Sequence, residues 1–125
     1  MSYDYINVVV GDSREFPAID TGERWNGWVV PAFELGTMAQ LAEHFRDGGP
    51  ATLEELEAAC MDSRMDPDWE GFVIDAQGAW HFAQGDVYHG PTSAAVFPCE
   101  RRSFSTADGP KIAWVVPRSW CWEPV

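Results

Sequence analysis

Apolar residues follow two distinct patterns along this chain. Tyr5 to Val10 is a β-branched run stopped by Gly11-Asp12, which predicts a strand ending in a turn. From Ser13 to Glu23, charges, Pro17 and Gly22 interrupt any period, so a loop is expected. Trp28-Val29-Val30-Pro31-Ala32-Phe33 predicts a second strand. Pro31 lacks a ladder donor and points to a sheet edge or a strand end. The period then lengthens. Met38, Leu41, Ala42 and Phe45 form one apolar stripe at helical spacing, opened by Thr37 with Gln40 as its capping-box partner and stopped by Gly48-Gly49-Pro50. A second helix is expected from Thr52, with Glu55 completing a capping box, Leu53, Leu56 and Cys60 on the buried side, and an end before Asp66-Pro67.

Strand character returns afterwards. Phe72-Val73-Ile74 and Trp80-His81-Phe82 flank Asp75-Ala76-Gln77-Gly78-Ala79, a hairpin turn. Val87-Tyr88 would extend the meander, and Ala94 to Phe97 predicts a further strand. Lys111 to Val116 alternates, with Ile112, Trp114 and Val116 on one face. Trp120-Cys121-Trp122 follows and is expected to pair within the sheet. The expected fold is α+β: a mostly antiparallel sheet with two helices inserted after the second strand, in one domain over residues 1–125. One short motif recurs: Trp25-Asn26-Gly27-Trp28-Val29 echoes Trp69-Glu70-Gly71-Phe72-Val73, read as shared strand-entry chemistry in which glycine permits a bulge.

Composition narrows the function. The 125 residues hold 20 Asp and Glu against 8 Lys and Arg, a net charge of -12, which disfavours phosphate backbones and anionic membranes and favours a basic protein partner. The charge is uneven. Residues 43–86 carry 11 acids and 2 bases, while residues 100–125 carry 3 acids and 4 bases. Glu43, Asp47, Glu54, Glu55, Glu57, Asp62, Asp66, Asp68 and Glu70 form the candidate partner-binding patch. Spaced carboxylates on a rigid scaffold can imitate a phosphate array and occupy a nucleic-acid groove. Arg101-Arg102 is read as a loop or as an internal partner for this patch.

Catalytic chemistry finds little support. No G-x-S-x-G, phosphate loop or dinucleotide fingerprint occurs, so no enzyme and no cofactor are expected. His81, Asp86, His89 and Cys99 match no compact metal spacing, and His81 is expected to face solvent. Asp62, Asp66 and Asp68 lack the glycine and terminal glutamate of a calcium loop. Cys60 and Cys121 read as packing residues, and the Glu100 carboxylate beside Cys99 disfavours a thiolate. Three cysteines without paired spacing, no secretory signal pattern and no long apolar run together imply a cytoplasmic protein with free thiols, one disulfide with a spare thiol being the less favoured alternative. Of seven tryptophans, most are expected in the core and one or two at a protein-binding surface.

The framing motifs Trp25-Asn26-Gly27-Trp28, Pro31-Ala32-Phe33 leading into a helix, and Trp120-Cys121-Trp122 give a layout that resembles small acidic proteins carried by phages and plasmids. That class includes anti-CRISPR and anti-restriction inhibitors. The resemblance implies a non-enzymatic inhibitor of a basic, nucleic-acid-handling defence protein and assigns no individual residue. An immunity protein that neutralises a basic toxin obeys the same electrostatics, and a small enzyme is the third class.

Overall fold

The β-branched N-terminal run forms β1 (Tyr5–Val10) in a computed structural model that describes residues 2–10, 14–46, 48–61, 69–85 and 94–117. Its partner is β2 (Arg14–Trp25), in the segment expected to be a loop. Here pairing overrides propensity. Phe16, Ala18 and Ile19 are buried, although the charged residues between and around them hide the pattern in the sequence. Pro17 is tolerated because it falls opposite Asn7, between the hydrogen-bonded positions that the Asp20 N–H to Asp4 carbonyl bond sets. Its missing donor therefore points away from β1. Beyond Asp20 the strand slips by a bulge around Gly22. The Asp20 carboxylate accepts the Gly22 N–H, and the Thr21 hydroxyl donates to the Val30 carbonyl at 2.6 Å.

β2 turns into β3 (Trp28–Glu34) through Asn26-Gly27, both at positive φ, 52° and 86°. This is a two-residue hairpin turn, not a bulge at strand entry. β3 is an inner strand, but its ladder with the last strand ends at Pro31, whose carbonyl accepts the Val116 N–H. The missing proline donor thus falls where pairing stops.

The helix α1 (Leu35–Arg46) starts two residues before Thr37, which sits inside the first turn and does not cap it. Met38, Leu41 and Ala42 are buried as the stripe implies. α2 (Leu53–Met61) follows. Then come β4 (Glu70–Ile74), β5 (Trp80–Gly85), β6 (Ala94–Pro98), β7 (Glu100–Thr106) and β8 (Gly109–Val115). The chain is α+β, with mostly antiparallel strands and both helices directly after the Trp28 strand. That strand is third in order because residues 14–25 are themselves a strand.

Two compact units result: Met1–Ala39 with Glu100–Val125, and Gln40–Cys99. The first holds a sheet of order β1-β2-β3-β8-β7. β7 was not expected. Its sequence ERRSFST has little apolar content, yet Phe104 and Thr106 are buried by full pairing with β8. Arg101-Arg102 therefore lies on a strand and not in a loop, with Arg102 near Glu100 at 3.6 Å and stacked over Phe104. With five strands, each antiparallel to its neighbours, the two edge strands point the same way. Tyr3, just before β1, forms a parallel bridge with Thr106 of β7, and the Tyr3 N–H donates to the Ser105 carbonyl at 2.7 Å. Ile19, Val30, Ala32, Phe104, Ala113 and Val115 form a buried cluster in this unit. Burying each larger side chain contributes about 1.5–3 kcal/mol. On β8, Trp114 is buried as expected and so is Val116 just beyond the strand, but Ile112 is 46% exposed, and the clustered residues Ala113 and Val115 belong to the opposite face.

The second unit carries the sheet β4-β5-β6. Leu53, Leu56 and Ala59 of α2 cluster with Val73, Ala83 and Trp69. The Phe45 ring of α1 packs near Phe72, and Phe72 near Phe82. The Gly11-Asp12-Ser13 turn, Val87-Tyr88 and Trp120-Cys121-Trp122 lie outside the described residues.

Candidate functional site

The acidic segment is built on the start of α2. Thr52 is the cap: its hydroxyl accepts the Glu55 N–H at 3.1 Å, and its carbonyl accepts the Leu56 N–H. Glu55 reaches back to the Ala51 N–H at 2.8 Å, one residue earlier than a standard capping box requires. Glu54 and Glu55 in the first turn also meet the positive end of the helix dipole. Leu56 points inward, so Glu54, Glu55 and Glu57 are left on the exposed side.

The five candidate carboxylates among the described residues separate into three groups. Glu43, Glu54 and Glu57 are exposed and make no hydrogen bond or ion pair among the described residues. Glu55 is exposed but committed to its cap. Glu70 is half-buried on β4, and burial pushes its carboxyl above the usual range, so its ionised form is disfavoured. Asp47, Asp62, Asp66 and Asp68 lie outside the described residues.

The β4–β5 hairpin contains the most developed polar network. Asp75 Oδ1 accepts the Gln77 and Ala79 N–H groups at 2.9 Å each, and Asp75 Oδ2 lies 2.9 Å from His81 Nε2. The His81 bond, helped by the Ala79 and Gln77 amides, holds the Asp75 carboxyl below the usual range. His81 therefore does not simply face solvent: its side chain is 17% exposed. The same hairpin places Cys99 beside Trp80, whose carbonyl accepts the Cys99 N–H. Burial pushes the Cys99 thiol up to about 12, which removes it as a nucleophile. Among the described residues, no three His, Cys, Asp or Glu side chains gather as metal ligands, and no helix is long and apolar enough to cross a membrane. Asp86 and His89 lie outside the described residues.

Trp25 and Trp28 flank the Asn26-Gly27 turn, directly opposite each other, and are 49% and 45% exposed. Trp80 and Trp114 are buried, and Trp69 is partly buried. The Asn-Gly pair between two tryptophans was the available signal for this exposed hairpin end. The W-x-G-aromatic-V echo thus has two different structures, a turn at Gly27 and a close approach of backbone and indole at Gly71.

No protein-family model matches this chain, and neither the curated proteins nor the solved structures contain a similar one.

Proposed function

We propose that this is a cytoplasmic, non-enzymatic inhibitor from a mobile element. It docks on a basic, nucleic-acid-handling defence protein, of the anti-CRISPR kind first and the anti-restriction kind second, and competes with nucleic acid there. One observation carries the reading. Residues 40–99, one of the two compact units, hold 11 acids against 2 bases, and the helix acids Glu43, Glu54 and Glu57 are exposed, with no side-chain partner among the described residues. Unneutralised carboxylates raise the potential that steers a basic surface into contact.

The test is charge reversal at these three glutamates, leaving the capping Glu55 in place. The partner is first recovered from host lysate and then purified. The Glu43→Lys, Glu54→Lys, Glu57→Lys variant should melt like the parent and associate at least about tenfold more slowly at low salt. A mobility-shift assay then reads competition with nucleic acid. A ternary complex would overturn groove blocking, and a secreted or plasmid-borne basic toxin as the captured partner would point to an immunity protein.

A further inference from the structure

Among the described residues, the second unit's sheet has an unpaired edge. β6 is Ala94-Ala95-Val96-Phe97-Pro98, and among the described residues nothing pairs with its outer side. Natural edges are blunted by charge, and β6 carries none. The Cys99 N–H bond to Trp80 sets the alternation along β5 and β6. Ala95 and Phe97 direct their backbone groups to β5, while Ala94 and Val96 direct theirs outward. Pro98 offers an outward carbonyl and no donor, which fixes where an added strand stops.

Both faces of the sheet also run out at this edge. Phe72, Phe82 and Phe97 form a row across three strands, buried at the first two and 38% exposed at the third. On the opposite face Gly71 and Ala83 are buried, while Val96 is 39% exposed. An added strand would cover both outermost side chains and satisfy the outward groups of Ala94 and Val96.

We infer that β6 is a strand-addition site for an extended, lysine- or arginine-bearing segment of the basic partner. Charge selects this occupant. The unit's 11 acids against 2 bases attract a basic strand and oppose β6-to-β6 pairing of two copies, which would bring two such units together. A five-residue edge is also short for a stable dimer interface. The inference deepens the function proposed above and rests on its basic partner. It adds where that partner's backbone is held.

The test uses the full chain and a short peptide of alternating valine and lysine with blocked ends, compared with its valine–glutamate counterpart. Amide spectra should show the lysine peptide slowing exchange at the Ala94 and Val96 N–H groups, and the glutamate peptide should not. Val96→Pro removes only an outward donor, so the pairing with β5 survives while peptide binding falls about tenfold. Val96→Lys, at an exposed position, gives the same loss should the proline variant fold poorly. Binding as tight as the parent's in both variants, or equal binding of the two peptides, would overturn the inference. So would self-association of the parent that is lost in Val96→Pro, since the occupant would then be a second copy. With the purified partner, loss in the glutamate-reversal variant but not in Val96→Pro would overturn the edge site alone. The reverse result would overturn the acidic docking surface alone.

Discussion

The Trp69 indole lies across Gly71 so closely that a methyl group on Gly71 would sit 2.6 Å from Cζ2. The same indole borders Gly49, and its Nε1–H donates to the Arg46 carbonyl at 3.0 Å, tying the end of α1 to the start of β4. Two glycines thus make room for one aromatic. Gly71→Ala should destabilise by about 1–3 kcal/mol through overpacking. Trp69→Ala should relieve most of that cost, so a double-mutant cycle by urea unfolding should be strongly non-additive. Additive changes would show that the indole does not limit Gly71.

The carboxylates predict acid behaviour of opposite signs. Asp75 has a folded pKa below its ordinary 3.8, through the His81 bond first. Its contribution is present above that ordinary value and is lost as pH falls through the lower folded one. Asp20, bound by Arg24 at 2.8 and 3.0 Å, follows the same rule. Asp75→Asn should therefore lower the melting temperature at neutral pH, with the gap to the parent narrowing as pH falls below the ordinary 3.8.

Glu70 runs the other way. Burial raises its folded pKa above 4.5, so its contribution is full at low pH and is lost as pH rises through the folded value. Glu70→Gln should melt higher than the parent at neutral pH and equally in acid. A lower melt at neutral pH would show that the ionised carboxylate is bound.

Cys99 should resist alkylation. A thiol held near 12 by burial has almost no thiolate at pH 8. Peptide mapping after iodoacetamide should find Cys99 unmodified in the native protein and modified in denaturant. Native labelling at the rate of a free cysteine would contradict its buried position.

The exposed hairpin end depends on Gly27, at φ 86°. Gly27→Ala should cost about 1–2 kcal/mol in urea unfolding, because an L side chain opposes that conformation. Trp25→Ala with Trp28→Ala removes exposed rings and should cost less. If that pair abolished partner binding while the glutamate reversals did not, the hairpin would replace the helix acids as the docking surface.

Local chemistry alone determined much of this protein. β1, the Trp28 strand, both helices, the β4–β5 hairpin with its Asp-x-x-Gly turn, and β6 were legible because each carries its own period, cap or turn residue. The α+β class and the acidity of residues 43–86 followed directly. Tertiary pairing decided the rest. β2 and β7 are rich in charged or hydroxyl residues and become strands only because β1 and β8 supply partners for their backbones. Burial of Phe16 or Phe104 depends on what lies opposite, which no local window contains. The same holds for the acidic patch. The sequence holds nine similar carboxylates, but only the fold distinguishes Glu43, Glu54 and Glu57, without a side-chain partner among the described residues, from the capping Glu55 and the desolvated Glu70, because exposure and hydrogen bonding are properties of neighbours brought together from distant parts of the chain.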